Sequence, residues 1–154
     1  WLGSLIRLNE GTGFLRDTKY KTLTIPSTAY NAITVGAYNG YTDSYATFSG
    51  VGDINYYVLN KPDIVAPGVN IVSTSNNGGY ESRTGTSMAT PFVTGCTALL
   101  MEWGIVKGND NYLYGEKVKA YLIKGARSLK EFDEYPNPRV GWGALCLDKS
   151  FPTS

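Results

Sequence analysis

The chain has 154 residues, 42% of them hydrophobic and 18% charged, which suits one globular domain with a sizeable core. Its 14 basic and 13 acidic residues are scattered along the chain and leave a net charge of +1. This balance argues against nucleic acid or an anionic membrane as a partner.

The sequence of the amino-terminal half predicts short strands joined by turns. Residues 1–23 have no regular period and predict a loop or junction. The β-branched run 32–37 predicts a buried strand, and 62–68 predicts a second one closed by a Pro-Gly turn. Residues 70–75 predict a further strand, 76–79 (NNGG) a turn, and 80–84 an extended segment.

Residues 85–91 (GTSMATP) lead into an apolar run that ends near Trp103. This pattern predicts a helix with Thr86 or Ser87 as its N-cap and Pro91 within the first turn. The helix is apolar nearly all round, so we expect it to be buried, and it is too short and too threonine-rich for a membrane span. A second, amphipathic helix is expected at 116–127, with its lysines facing solvent.

Ser87 at a helix start places a hydroxyl beside unpaired backbone N–H groups and the positive end of the helix dipole. Stabilisation of an oxyanion needs donors of this kind close to a nucleophile. The alternative is that Ser87 only caps the helix. The motif, however, is longer than a cap, and it resembles the active-serine segment of the subtilisin-like serine peptidases, the subtilases.

Four further blocks occur in the order in which the subtilases carry them, and the resemblance as a whole covers about residues 24–147. They are 33–37 (ITVGA), 48–52 (FSGVG), 61–68 (KPDIVAPG) and 141–145 (GWGAL). The general sequence resembles clostridial-type members. The resemblance implies an α/β fold: the carboxyl-terminal portion of a subtilisin-like three-layer domain, with a mostly parallel sheet, helices on both faces, and its first strands before residue 1. The whole chain, 1–154, is thus expected to be a partial peptidase domain, with 1–23 as junction and 24–147 as core.

The same resemblance implies that Ser87 is the nucleophile, that its own N–H is one oxyanion donor, and that Thr86 lends a weak supporting hydrogen bond. The chain contains no histidine, however, and a serine needs a base to take its proton. In the family the aspartate, the histidine and the oxyanion asparagine belong to blocks upstream of the serine. We therefore expect a serine endopeptidase of which this chain is the serine-bearing part, inactive alone.

Two alternatives remain at this point. One is a subtilase-like pseudoenzyme that binds or regulates a partner protein. The other is an unrelated serine hydrolase or an inert module, although the chain contains no Ser-x-x-Lys motif for a serine–lysine dyad. For the peptidase, the expected partners are a protein or peptide substrate and the missing amino-terminal part of the same domain. Members of the family are mostly secreted, or associated with the cell envelope or spore, and the sequence does not fix a location.

Several other residues are candidates for a chemical role. Asn9, in an Asn-Glu-Gly setting, is a candidate oxyanion group, but it is better explained as a turn residue. Asp63 is a candidate triad carboxylate, but its place in the KPDIVAPG block favours a structural role. Phe92 stands where many subtilases have a non-catalytic histidine. Cys96 and Cys146 are expected to be core thiols.

No metal-ligand cluster is visible, because the carboxylates are dispersed and histidine is absent. We expect no cofactor and no metal among the site residues. A structural calcium ion held mainly by backbone carbonyls, as some subtilases have, would leave no mark in the sequence.

Overall fold

The computed structural model describes residues 18–53 and 61–152. In chain order the elements of these ranges are β1 (Val35–Asn39), β2 (Ser44–Tyr45), β3 (Ile64–Pro67), β4 (Ile71–Thr74), β5 (Tyr80–Arg83), α1 (Thr86–Met101), α2 (Gly115–Gly125) and α3 (Leu147–Ser150). A π-helical segment, Glu102–Val106, continues α1. Each strand predicted from the sequence is found, with its ends shifted by at most three residues.

β1 is the central strand of a sheet with the order β2-β1-β3. It runs parallel to β3, with Val35 opposite Ile64 and Ala37 opposite Ala66. Side chains alternate between the two faces of a strand, so these four residues share one face. Ala144 extends the sheet past β3 by a parallel bridge to Val65.

The two faces of this sheet are covered by different structures. Helices α1 and α2 pack on the first face, where they form the larger core cluster with the sheet. Its buried members are Ala37, Ala46, Ile64, Ala66, Ala89, Val93, Leu100, Leu113, Val118 and Leu122. The second face is covered by the largely irregular segment 127–145. The buried members of that smaller cluster are Tyr38, Val65, Leu129, Val140 and Ala144.

Helix α1 is buried on one side only. Ala89, Val93 and Leu100 face the sheet, whereas apolar side chains on the other side are exposed to solvent. They include Phe92 (42% exposed) and Leu99 (50% exposed). The prediction of a helix buried all round is therefore wrong for the part of the chain that the structure describes, because no described segment packs on this side.

By length and composition alone, the continuous helix Thr86–Val106 could also cross a membrane, with a mean hydropathy of 1.2. This is weak evidence, since the core helix of a soluble protein passes the same test. Two threonines of this helix satisfy their hydroxyls within it: Thr90 donates to the Thr86 carbonyl at 3.0 Å, and Thr94 to the Thr90 carbonyl at 3.2 Å.

Helix α2 confirms the predicted amphipathic segment. Val118 and Leu122 are buried as the spacing predicts. The expectation that all its lysines face solvent is wrong for Lys119, whose ammonium lies 2.7 Å from the Asp63 carboxylate. Lys119 adjoins Val118 and precedes Leu122 by three residues, so it borders the buried face of the helix.

Asp110 ties the loop before α2 to the helix itself. Its carboxylate accepts hydrogen bonds from the Lys117 ammonium at 2.6 Å and from the Tyr121 hydroxyl at 2.8 Å. The Lys117 bond, and next the Tyr121 bond, hold the pKa of Asp110 below its ordinary value of 3.8. This carboxylate therefore stabilises the fold above the unfolded-state pKa, and its contribution is lost as pH falls through the folded-state pKa.

We accordingly expect Asp110→Asn to flatten the loss of stability on acidification below about pH 4. The measurement is urea unfolding at a series of pH values. Asp133→Asn removes an exposed carboxylate from the same chain and serves as the charge-matched control. An unchanged pH dependence in Asp110→Asn would show that the Lys117 and Tyr121 contacts do not stabilise the fold.

Candidate active site

Ser87 is the second residue of α1 and lies where the chain returns to the carboxyl end of β3. Gly68, which follows β3, accepts a hydrogen bond from the Gly85 N–H at 2.8 Å. Helix α1 then begins at Thr86 with Gly85 as its N-cap. The prediction of Thr86 or Ser87 as N-cap is therefore wrong by one or two residues, and Gly85 contributes no capping side chain.

Two glycines allow this close approach. Gly85 has φ 157° and ψ 165°, a region that is accessible essentially to glycine alone. A Cβ atom at Gly68 would lie 2.7 Å from the Ala37 Cβ and 2.9 Å from the Gly85 carbonyl oxygen. Gly68 therefore lets the turn before Ser87 pack directly against β1.

We expect Gly68→Ala to lower the free energy of unfolding by about 1–3 kcal/mol, because the new methyl group overpacks this contact. Gly115→Ala is the matched control, since a Cβ atom there meets nothing within 4 Å. Urea unfolding of both variants tests this. Equal stability of the two would mean that the turn before Ser87 moves freely away from β1.

The Ser87 side chain is exposed, while Thr86 is half-buried. Among the described residues, none forms a hydrogen bond with the Ser87 hydroxyl. The first backbone N–H groups of a helix lack intrahelical acceptors and carry the positive end of its dipole. Ser87 thus presents a free hydroxyl beside backbone donors, which is an arrangement that can stabilise a developing oxyanion.

Pro91 changes the hydrogen bonding of Ser87. It is the sixth residue of α1, and a proline there cannot donate to the carbonyl four residues earlier, which is that of Ser87. The prediction that the missing N–H falls in the harmless first turn is thus wrong by about half a turn. The Ser87 carbonyl is consequently free of the usual helical hydrogen bond.

A cavity of about 310 Å³ opens beside this helix start. It is lined by Met88, the residue after Ser87, and by residues of the hairpin that β4 and β5 form. The sequence pattern predicted these strands but not the cavity, because a cavity depends on how the hairpin and the helix meet.

Asp63 lies at the other end of β3. Its position is five residues before Gly68, which is roughly 16 Å of extended strand. The carboxylate is buried, and it accepts the Thr34 N–H at 2.7 Å and the Lys61 ammonium at 2.5 Å. The predicted structural role of Asp63 is thereby confirmed, and the structure does not bring it to Ser87.

Sequence reasoning missed the two lysines around Asp63. Lys61 is only 4% exposed, and its ammonium also donates to the Ala32 carbonyl at 2.6 Å. Burial is the main cause that lowers the pKa of Lys61, and the hydrogen bond to Asp63 acts against it. Lys119 from α2 donates to the Tyr30 carbonyl at 3.0 Å as well as pairing with Asp63. The cluster thus fastens the segment before β1 to β3 and α2.

The remaining candidates contribute no further group to the site. Asn9 lies outside the described residues. Cys96 and Cys146 are free and half-buried, and burial raises the pKa of the Cys96 thiol. Phe92 is exposed on α1. Within ranges 18–53 and 61–152, no group of three or more acidic, cysteine or histidine side chains could hold a metal ion.

Known proteins resemble this chain in sequence and in fold. The sequence model of the subtilase family matches residues 9–143. The chain is similar to the solved structure of the Clostridium perfringens CspB protease, with 49% identity and a TM-score of 0.87 over 93% of this chain and 30% of CspB. It is 33% identical to the serine protease AprX of Bacillus subtilis over 86% of this chain and 32% of AprX.

A PII-type proteinase of Lactococcus lactis subsp. cremoris is 43% identical over 60% of this chain. The chain spans 5% of that protein's length and about a third of CspB and AprX. The similarity to CspB confirms the expected fold class, part of a subtilisin-like α/β domain. Since the family match covers most of its residues, the chain belongs to the subtilase family.

Proposed function

We propose that this chain is the serine-bearing part of a serine endopeptidase, with Ser87 as the nucleophile. The observation that carries the proposal is the exposed Ser87 hydroxyl at the start of α1, beside free backbone donors and an open cavity. The names of its relatives CspB and AprX identify those proteins as proteases. The expected substrates are proteins or peptides.

In the proposed reaction the Ser87 oxygen attacks the scissile carbonyl while a base takes its proton. The tetrahedral oxyanion is held by the Ser87 N–H, and Thr86 supports this position with a weak hydrogen bond. The base then returns the proton to the leaving amine, which departs and leaves an acyl ester on Ser87. Water, deprotonated by the same base, cleaves the ester and restores the serine.

The base must come from outside this chain. The sequence contains no histidine, and the buried carboxylate of Asp63 is held by Lys61 and Lys119 at the end of β3 far from Ser87. We propose that the preceding part of the same catalytic domain supplies the histidine, its aspartate partner and the oxyanion asparagine. The isolated chain is then expected to be inactive.

The exposed side of α1 supports this assignment. Phe92 and Leu99 are apolar, 42% and 50% exposed, and two helical turns apart, so they lie on the same side of the helix that begins beside Ser87. A segment packed over this side would cover apolar surface and could also bring a base to the serine. We propose that the preceding part of the catalytic domain is the segment that covers it.

If so, Leu99→Asp in the full-length protein should lower the free energy of unfolding by about 2–5 kcal/mol, because it places a charge in a packed interface. Val72→Asp is the matched control, since Val72 is 64% exposed and lies on the face of the β4–β5 hairpin opposite to the one that lines the cavity with Met88. A shift in the chemical denaturation midpoint for Leu99→Asp alone fits the proposal. Equal, small shifts for both would mean that this side of α1 stays in solvent.

The proposed function is tested by treating the full-length protein with a fluorophosphonate and locating the label by peptide mass spectrometry. The proposal requires the label on the peptide that contains Ser87. Absence of label on folded protein would contradict it and favour the pseudoenzyme, in which the same fold binds a partner without hydrolysis. Sequencing the upstream residues for an aspartate and a histidine distinguishes the same two alternatives.

A further inference from the structure

The cavity beside Ser87 has a distinct chemical character that the family assignment does not determine. In the β4–β5 hairpin, Ile71 pairs with Arg83 and Ser73 pairs with Glu81. Directly opposite residues of paired strands point to the same face, and residues two apart do so as well. These four side chains thus form one wall of the cavity, and Met88 from α1 faces them.

The lining combines an apolar part with a charged part. Ile71 and Met88 are the apolar side chains, while Ser73, Thr74 and Asn76 supply neutral polar groups. Glu81 and Arg83 form an ion pair of 2.6 Å within the same wall. The cavity volume, about 310 Å³, is at the lower end of known ligand pockets and is enough for a side chain of a bound peptide.

The ion pair leaves a surplus of hydrogen-bond donors. A guanidinium group has five N–H donors, and one Arg83 nitrogen is engaged by Glu81. Arg83 is also the more exposed partner, with 59% of its side chain accessible against 37% for Glu81. A ligand that enters the cavity therefore meets an open cationic edge, whereas the carboxylate of Glu81 is already paired. This asymmetry favours a carboxylate ligand.

The cavity is also correctly placed for a substrate. Met88 follows Ser87 directly, so their Cα atoms are about 3.8 Å apart. A peptide whose carbonyl carbon reaches the Ser87 hydroxyl can place neighbouring residues over the cavity that Met88 lines. Since an extended peptide advances about 3.3 Å per residue, a side chain within one or two residues of the scissile bond reaches the cavity.

Resting on the proposed function, we propose that this cavity binds a substrate side chain within two residues of the scissile bond, and that Arg83 makes the peptidase prefer an acidic residue there. Glu81 weakens this preference, because its carboxylate already pairs with one nitrogen of the Arg83 guanidinium. Arg83 acts on substrate choice and takes no part in the bond-breaking step.

The test uses the full-length protein and fluorogenic peptides that differ only in one residue, glutamate or alanine, at each of the two positions on either side of the cleaved bond. The readout is the ratio of kcat/KM for the glutamate and alanine peptides. At one position this ratio should exceed one in the wild type. Arg83→Gln should lower it by about 10-fold, the size expected for one charge-assisted hydrogen bond. Glu81→Gln should raise it, because the whole guanidinium becomes available.

The opposite signs of the two variants separate a specific contact from general damage to the hairpin, which would lower both peptides together and leave the ratio unchanged. A ratio that is insensitive to Arg83→Gln in an enzyme whose Ser87 reacts with a fluorophosphonate would overturn this proposal and leave the proposed function intact. Failure of the wild-type protein to react with the probe would overturn both.

Discussion

Ser87→Ala should lower kcat/KM for peptide hydrolysis by the full-length protein by a factor on the order of 10⁴ or more. The reason is that alanine cannot form the acyl ester, so the remaining oxyanion donors have no covalent intermediate to stabilise. The helix start should be unaffected, because Gly85 rather than Ser87 is the N-cap. The measurement is steady-state hydrolysis of a fluorogenic peptide, with circular dichroism to confirm the fold.

Two further variants make this loss interpretable. Ser128→Ala changes an exposed serine far along the sequence and should retain wild-type rates. Thr86→Val removes the supporting hydroxyl while keeping the side-chain shape, and a loss of about 3- to 10-fold is expected for one weak hydrogen bond. If Ser87→Ala retained more than a tenth of the wild-type rate, a different residue would be the nucleophile.

Asp63→Ala should destabilise the protein by about 3–5 kcal/mol, the cost of leaving buried charge without its partner. Lys61 and Asp63 each expose only 4% of their side chains, so the Lys61 ammonium would remain buried without its carboxylate partner. The Thr34 N–H would lose its acceptor at the same time. Urea unfolding measures this loss.

Glu102→Gln is the matched control, since Glu102 pairs with Lys107 at 3.3 Å with both side chains at least 50% exposed. Surface pairs of this kind contribute about 0–1 kcal/mol. A double variant, Lys61→Met with Asp63→Ala, should recover part of the stability because it removes the more deeply buried of the two ammonium groups that pair with Asp63. If Asp63→Ala and Glu102→Gln had equal effects, the buried cluster would contribute nothing to stability.

The Ser87 site and the ion-pair cluster around Asp63 differ in how well the sequence predicts them. The motif around Ser87 is local: the turn, the helix and the serine occupy consecutive residues, so their spacing alone predicts a hydroxyl at a helix start. The position of the N-cap is nevertheless predicted one or two residues too late. Thr86 and Ser87 have capping side chains, but the close contact of Gly68 with Gly85 makes the glycine the N-cap.

The Asp63 cluster depends on contacts between distant residues. Lys61 is two residues before Asp63, but a lysine in a strand-like pattern is ordinarily expected at the surface. Lys61 is buried because its ammonium donates to the carbonyl of Ala32, which is 29 residues away in the sequence. Lys119, which pairs with Asp63, belongs to helix α2. Periodicity describes one segment at a time, so it predicts the faces of α2 and misses the ion pair that joins α2 to β3.

Helix α1 shows a different limit of prediction from the sequence. Its composition is apolar all round and predicts complete burial, whereas Phe92 and Leu99 are exposed in the described part of the chain. An apolar composition indicates that a helix is buried in the complete protein, but it does not indicate which segment buries it. The discrepancy between this composition and the observed exposure is what the proposed preceding part of the domain would resolve.

The most direct test of the central claim is complementation. Residues 1–154 and the preceding part of the catalytic domain are expressed separately and together, and each sample is treated with a fluorophosphonate. The account predicts label on Ser87 when the two parts are co-expressed and none on residues 1–154 alone, since this chain has no histidine to activate the serine. Equal labelling of Ser87 in the isolated chain, or none in the co-expressed and folded protein, would contradict it.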